Sequence, residues 1–367
     1  MSLLAAMQEP RTLLQEVSPD GNLEVAVDQD ARVVHLYLRA TRNEQFGLKS
    51  CWVRNLAHAP EELDVQAMRT GQPPLLPRRF CVYPEGQPPL EADALEVVWL
   101  PEGDGVALFE NGELLAVIPG WSGAGGFNGY ARDCRGESPL CWELGPENVM
   151  CRRVDAARRF WAEWEQPESP WLRAQDCIMA AYAGVIGQHS RYFAIDGGAW
   201  PPRGLALYEC GERVYLLTVG LSLRPQPVVE MYTDKPEEVR RIELAACFHR
   251  SVPMAVVEDF GSYLSGIAAL PWQQITFLGD GHTVGCDVFS EAEKLRSLSA
   301  VLLAKQAQGA PALVLPDVGC DRVALLWCIP ITDRERTLAE NSGSRALVSR
   351  FSTGLPPVVG QPRSPVA

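Results

Sequence analysis

The most constraining feature of this sequence is how often glycine and proline interrupt it. The chain carries 31 glycines and 29 prolines in 367 residues, and both residue types disfavour the interior of helices and strands. Its elements must therefore be short, which favours sheets and loops over long helices. A chain of this length has room for about two domains, each with its own hydrophobic core.

The charge of the chain excludes some classes of partner. With 47% apolar and 22% charged residues, the composition is that of a globular protein, neither disordered nor membrane-embedded. A formal net charge of -13 repels phosphates and anionic membranes, so we expect no nucleic acid and no membrane as partner, and a basic protein is favoured. Residues 1–8 lack the pattern of a secretory signal, which predicts a cytoplasmic protein.

The cysteines and histidines do not form a cofactor or metal motif. The eleven cysteines include no Cys-x-x-Cys pair, so we expect reduced and mostly buried thiols. No two of the five histidines are three or four residues apart, the spacing that zinc sites on helices use. We therefore expect neither a metal nor another cofactor.

Hydrophobic periodicity predicts a β-rich accessory domain over residues 1–165. Apolar and polar residues alternate over 23–27 and 33–38, which predicts an antiparallel hairpin. A three-stranded meander follows over 95–118, with Asn111-Gly112 as a tight-turn signal between its last two strands. We place a linker at residues 166–171, where two prolines separate two helical patterns.

The second half of the chain mixes helical and strand periods irregularly. This mixture predicts an α+β fold with a mixed or antiparallel sheet and flanking helices, over a domain of residues 172–350. Four prolines after residue 355 predict a flexible tail at 351–367. The predicted helices are 171–186, 256–269 and 291–304, and the predicted strands are 205–208, 214–219, 241–247, 313–315 and 323–329.

One glycine-rich stretch comes close to a catalytic motif. Residues 120–124 read Gly-Trp-Ser-Gly-Ala, near the Gly-x-Ser-x-Gly of a nucleophile elbow, but the fifth position fails and no helical pattern follows. A loop that packs Trp121 and Tyr130 explains these residues. The alternative is a small-molecule sensor, which would need a ligand-sized pocket beside Trp121.

Two polar clusters in the second half are less ordinary. Asp280 and His282 lie among glycines, which suits either a tight turn or a site that contacts a partner. The second cluster follows a buried strand, where Thr332 or Asp333 could cap a helix. Capping or turn formation explains both clusters, and a functional role is the alternative.

Four segments in a fixed order carry a resemblance to a known family. They are 214–222 (Val-Tyr-Leu-Leu-Thr-Val-Gly-Leu-Ser), 241–244 (Arg-Ile-Glu-Leu), 279–283 (Gly-Asp-Gly-His-Thr) and 329–335 (Ile-Pro-Ile-Thr-Asp-Arg-Glu). Together they resemble the suppressor of fused family, over roughly residues 172–350. The resemblance implies a mixed α+β fold, no catalytic residues, no cofactor and a role in binding another protein.

The resemblance also suggests a mode of binding. The animal member of the family holds a short segment of its partner as an added β-strand, and many bacterial members are thought to be immunity proteins against a secreted toxin. An acidic chain suits a basic toxin domain as partner. We expect the partner to contact Asp280, His282, Thr283, Thr332, Asp333, Arg334 and Glu335. The alternatives are a hydrolase-like enzyme with Asp280 and His282 as an acid/base pair, and the small-molecule sensor.

Overall fold

The computed structural model describes residues 10–351, 358–360 and 365–366. The chain divides into two compact units: unit 1 is Met1–Gln166 with Trp272–Ile275, and unit 2 is Pro167–Pro271 with Thr276–Ala367. The first helix of unit 2 begins at Pro170, so the last two residues of the predicted linker 166–171 are helical. Proline suits this first position because it needs no hydrogen-bond donor there.

Unit 1 is built from two small sheets and is β-rich, as predicted. The first sheet has the strand order β1-β2-β3-β4, and the second has the order β5-β6-β7-β8-β9. In chain order the elements are β1 (Arg11–Val17), β2 (Leu23–Gln29), β3 (Val33–Ala40), β4 (Leu48–Asn55), α1 (Val65–Arg69), β5 (Leu95–Trp99), β6 (Val106–Glu110), β7 (Glu113–Ile118), β8 (Tyr130–Ala131), β9 (Trp142–Glu143) and α2 (Val149–Trp164).

Local sequence signals account for much of unit 1. The predicted hairpin is β2 and β3, paired antiparallel with Val25 opposite Leu38. Between β6 and β7, Asn111 and Gly112 have φ angles of 50° and 81°, the left-handed pair that a two-residue hairpin turn requires. The meander is therefore confirmed.

Unit 2 is a mixed sheet flanked by helices, which confirms the predicted α+β class. The strand order is β10-β11-β12-β13-β16-β15-β14, and β17 pairs with β13. β13 is parallel to β16 and β17, and the other pairs are antiparallel. Its elements are α3 (Pro170–Ile186), β10 (Arg191–Ala194), β11 (Gly204–Cys210), β12 (Arg213–Val219), β13 (Arg241–His249), α4 (Met254–Gln274), β14 (Thr283–Gly285), β15 (Leu298–Ala304), β16 (Val323–Thr332), α5 (Asp333–Ser342), α6 (Ser344–Arg350) and β17 (Val358–Val359). The last three residues of α4 are counted in unit 1.

Helices cover both faces of this sheet. Tyr182 of α3 belongs to a buried cluster that includes Cys247 of β13, whereas the Phe260 ring of α4 lies 5.3 Å from the ring of Phe248. Successive residues of a strand point to opposite faces, so α3 and α4 pack on opposite sides of the sheet.

Three sequence predictions in unit 2 need correction. Residues 291–304 were expected to be one helix, but 298–304 form β15, because that segment pairs with β14 on one side and β16 on the other. Residues 313–315 form no strand. Within the tail predicted at 351–367, Val358 and Val359 form β17 and are buried, and residues 352–357, 361–364 and 367 of that prediction lie outside the described residues.

The cysteines behave as small apolar side chains. All eleven are free thiols and seven of them are buried, as we expected. Burial raises the pKa of the Cys247 thiol to about 12, so this group stays protonated and unreactive at neutral pH.

Candidate functional site

The loop before β14 turns tightly at Gly279 and Gly281. The His282 backbone N–H donates to the Gly279 carbonyl at 3.1 Å. Gly281 has a φ of 88°, and a side chain there would collide with the Ser344 hydroxyl of α6. Glycine is therefore required at 281 both by the backbone conformation and by the close approach of α6.

Asp280 and His282 are engaged by backbone groups rather than by each other. The Asp280 carboxylate is exposed and accepts a hydrogen bond from the Lys305 backbone N–H at 2.8 Å. Nδ1 of His282 lies 3.3 Å from the Gly279 nitrogen, and its ring centroid lies 4.9 Å from that of Phe277. Both side chains thus hold the shape of the loop.

Burial favours the neutral form of the His282 imidazole. Burial lowers the pKa of His282, against the opposing effects of a backbone hydrogen bond to Phe277 and the negative charge of Asp280. A neutral ring presents no positive charge to a basic partner, and it needs no carboxylate to balance it.

His282 and Thr283 line a cavity of about 390 Å³ at the β14 edge of the sheet. Its wall combines the loop before β14 and β14 itself with the end of α4 and the second turn of α5. The lining residues are Leu270, Thr276, Phe277, Leu278, Gly281, His282, Thr283, Val284, Ala339 and Glu340.

The second predicted cluster forms a helix cap. The Thr332 hydroxyl accepts the Glu335 N–H at 3.3 Å, and the Glu335 carboxylate accepts the Thr332 N–H at 2.8 Å, a reciprocal capping box at the start of α5. Glu335 is fully buried, whereas Asp333 and Arg334 are exposed on the first turn. Because its carboxylate is committed to the cap, Glu335 is poorly suited to assist catalysis.

The structure does not bring the two clusters into one cavity. Thr332 lines a separate cavity of about 690 Å³, together with Val358, Val359 and Gly360. Asp280 lines neither of these two cavities. Neither of these two cavities brings His282 together with Asp280, Asp333 or Glu335, the groups that an acid/base mechanism would combine.

Sequence reasoning missed the role of one buried carboxylate, Glu243 of β13. Its Oε1 accepts the backbone N–H groups of Gly220 and Ser222, each at 3.0 Å, and the Ser222 hydroxyl at 2.7 Å. Its Oε2 accepts the Thr218 hydroxyl at 2.6 Å. The available signal was a glutamate inside an apolar strand, Ile242-Glu243-Leu244, since a buried carboxylate needs several donors.

Gln226 fixes the position of the candidate loop. Its side-chain oxygen accepts the Leu278 N–H at 2.8 Å, and its side-chain nitrogen donates to the Leu278 carbonyl at 3.1 Å. This pair of bonds fastens the loop before β14 to the segment that leads into β13. Gln226 is fully buried, and no sequence pattern predicted this contact.

The glycine-rich loop of unit 1 has the geometry of a packed loop. The buried Ser122 hydroxyl donates to the Asn128 carbonyl at 2.6 Å, and the Arg153 guanidinium lies 5.3 Å from the Trp121 ring centroid. A cavity of about 330 Å³ in this unit is lined by Trp99 and Trp161, and Trp121 is not among its lining residues. This cavity is therefore not the pocket beside Trp121 that the small-molecule sensor hypothesis required.

Metal-binding clusters and membrane-spanning helices are both absent from the described residues. Residues 10–351, 358–360 and 365–366 contain no group of three or more His, Cys, Asp or Glu residues that could hold a metal ion. Within the same part of the chain, no helix is both long and apolar enough to cross a membrane.

The conspicuous polar residues of unit 2 serve a turn and a helix cap, and β14 lies at one edge of its sheet. Residues 205–363 match the family model for suppressor of fused protein (SUFU), and this part of the chain is a suppressor of fused-like domain. That family is one of non-enzymatic binding proteins. The match begins after β10 and extends through β17, so it is shifted towards the C terminus from the 172–350 that we expected.

A solved structure described as "the Sufu-Fu complex crystal structure" is similar to the chain at 14% sequence identity. The alignment covers 55% of this chain and 93% of that chain, with a TM-score of 0.38. No curated protein matches the chain.

Proposed function

We propose that the chain is a cytoplasmic protein-binding module that acts as an immunity protein, neutralising a cognate basic toxin domain by holding an extended segment of it along β14. The observation that carries this proposal is the open edge of β14 next to the 390 Å³ cavity. Edge strands are the usual place where a binding module adds a strand from its partner.

The backbone of β14 is oriented for strand addition. β14 is the last strand in the sheet order, and in the described residues it pairs only with β15. The Cys286 N–H bonds to the Ser299 carbonyl, in register with Val284 opposite Val301. Because an antiparallel ladder alternates, the backbone groups of Thr283 and Gly285 point away from β15 and towards an incoming strand.

The adjacent cavity supplies side-chain specificity. Leu270 and Phe277 offer apolar walls, and Glu340 offers a carboxylate. Burial lowers the pKa of His282, which favours a neutral ring that does not repel a basic side chain entering the cavity. An added strand would therefore gain affinity from main-chain bonds and selectivity from this pocket.

The net charge supports a basic partner. A formal charge of -13 accelerates the approach of a positively charged protein and disfavours acidic competitors. Binding that depends on this attraction should weaken as salt is added, because counterions screen exposed charges.

The test uses the intact chain and two proline variants as baits in extracts of the source cell. Gly285→Pro removes an N–H that points outward from β14. Ala194→Pro is the matched control on β10 at the opposite edge, where the Ile195 N–H bonds to the Arg203 carbonyl and the alternation directs the Ala194 N–H outward. Captured proteins are identified, purified and tested for inhibition by the chain.

We expect the intact chain and Ala194→Pro to capture one basic protein in equal molar amount, and Gly285→Pro to lose it. Equal capture by Gly285→Pro would place the binding surface elsewhere. A captured protein whose activity the chain does not inhibit would refute the immunity role while leaving the binding role intact. Asp280→Ala with His282→Ala tests separately whether the loop contributes contacts.

A further inference from the structure

The sheet of unit 2 splits at its centre. β13 pairs with β16 only from Arg241 to Ala245, after which β16 continues with β15 alone. β17 pairs with the next part of β13, at Cys247 and Phe248. The other side of that part is already taken by β12, so β17 fills the side that β16 leaves open.

We call this place, between the end of β13 and the diverging β16, the central slot. Its occupant matches it closely. Val358 and Val359 are only 7% and 4% exposed. Gly360 follows with a φ of 89°, and a side chain there would collide with Val252. Two β-branched apolar residues followed by glycine are therefore the pattern that the central slot accepts.

Among the described residues, β17 is joined to the sheet by a short pairing. β17 has two register pairs, Cys247 with Val358 and Phe248 with Val359. Beyond it, the Val366 N–H donates to Glu335 Oε1 at 3.2 Å, and the Arg350 guanidinium donates to the Val366 carbonyl at 3.3 Å. By comparison, β13 has five register pairs with β16.

The central slot also has unfilled room. The cavity of about 690 Å³ beside β17 has apolar walls from Pro253, Leu295, Leu298 and Pro330. An occupant with larger side chains would bury more apolar surface here than the two valines do.

We propose that the central slot is a second strand-binding site, in which β17 is a resident competitor that an extended partner segment displaces. The segment would carry two adjacent β-branched apolar residues followed by glycine, and it would run parallel to β13. β17 is covalently attached and so has a high effective concentration. Partner binding would therefore be weaker in the intact chain than with the slot emptied. The central slot is distinct from the β14 edge, so this proposal can be tested independently of the proposed function.

The first experiment empties the slot and supplies its occupant as a separate molecule. A chain ending at Phe351 is titrated with a labelled synthetic peptide of residues 355–367. We expect the peptide to bind this chain at least about tenfold more tightly than it binds the intact chain, because the resident strand competes. The same peptide with Val358→Asp and Val359→Asp, the matched control, should lose this binding.

Two outcomes would overturn the proposal. One is a shortened chain that keeps its circular dichroism spectrum yet binds the peptide no better than the intact chain. The other is a concentration-dependent dimer of the intact chain that the truncation abolishes, because the exchanging strand would then be β17 of a second copy.

Hydrogen exchange on the intact chain tests whether β17 leaves the central slot on its own, even if the shortened chain does not fold. We expect the amides of Val358 and Val359 to exchange through a local opening that low urea does not accelerate. The amides of β13 that face β16 should exchange only by global unfolding, which urea accelerates. If both sets exchange together with one urea dependence, β17 does not leave its slot independently and the proposal fails.

Discussion

Replacing Glu243 tests whether one buried carboxylate holds the turn after β12. In Glu243→Ala, four donors lose their acceptor: the N–H groups of Gly220 and Ser222 and the hydroxyls of Ser222 and Thr218. The two backbone N–H groups have no side-chain freedom with which to find new partners. Each unsatisfied buried donor costs about 1 to 3 kcal/mol, and after local relaxation we expect a loss of about 3 to 5 kcal/mol in the free energy of unfolding.

Glu243→Gln is the matched control, since it keeps the shape and one oxygen acceptor. The amide NH₂ would face the Thr218 hydroxyl, which already accepts the Leu244 N–H at 2.7 Å and has a second lone pair free to accept. We expect a cost of about 1 kcal/mol, well below that of alanine. Urea-induced unfolding followed by tryptophan fluorescence measures both variants.

The pH dependence of the free energy of unfolding provides a sharper test of the role of Glu243. Burial raises the pKa of Glu243 above 4.5, outweighing its four hydrogen bonds. The folded state therefore holds this proton more tightly than the unfolded state. The stability that Glu243 contributes is complete below pH 4.5 and is lost as the pH rises through the folded-state pKa, at no more than about 1.4 kcal/mol per pH unit.

Because glutamine does not titrate, the stability difference between wild type and Glu243→Gln should be larger at pH 4 than at pH 7. A difference that grows with rising pH would refute the reasoning. It would mean that the four hydrogen bonds stabilise the charged carboxylate more than burial destabilises it, so that the pKa is lowered.

Three further predictions concern other parts of the fold. Arg54→Ala should lower the free energy of unfolding in urea by about 3 to 5 kcal/mol, because its buried guanidinium lies 2.8 Å from the Glu110 carboxylate, which would lose this partner. Arg39→Ala is the matched control in the exposed pair with Glu24, and it should cost less than about 1 kcal/mol. Thr332→Ala should cost about 1 kcal/mol as a lost N-cap, and equal stability to wild type would contradict the capping role. His282 should titrate by NMR with a midpoint below 6.5. The stability that its neutral form contributes should be lost as the pH falls through that midpoint. A midpoint above 6.5 would show that the hydrogen bond to Phe277 and the charge of Asp280 outweigh burial.

Elements defined by neighbouring residues were predictable from the sequence. The hairpin of β2 and β3 follows from alternating residues, and the turn at Asn111-Gly112 follows from the left-handed conformation that these two residues tolerate. The capping of α5 by Thr332 belongs to the same group, because a cap and its partner lie three residues apart. Such signals need no knowledge of the rest of the chain.

Residues 298–304 show where periodicity stops being informative. This segment is apolar almost throughout, and a buried strand and a buried helix then have the same pattern. Only the two flanking strands, β14 and β16, make it β15. In the same way, nothing near Val358 in the sequence predicts β17, because its pairing partner lies more than a hundred residues earlier in β13.

Some features of the candidate site were likewise predictable from nearby residues, and others depend on the tertiary structure. Local sequence patterns predict that residues 279–283 form a tight turn and that residues 332–335 can cap a helix, because both depend on hydrogen bonds within a few residues. The tertiary structure alone decided that His282 and Thr283 share a cavity at an open edge strand, that Thr332 lines a different cavity beside β17, and that Glu243 holds the turn after β12. These arrangements depend on sheet register, which joins residues far apart in the chain and is set by the packing of the whole unit.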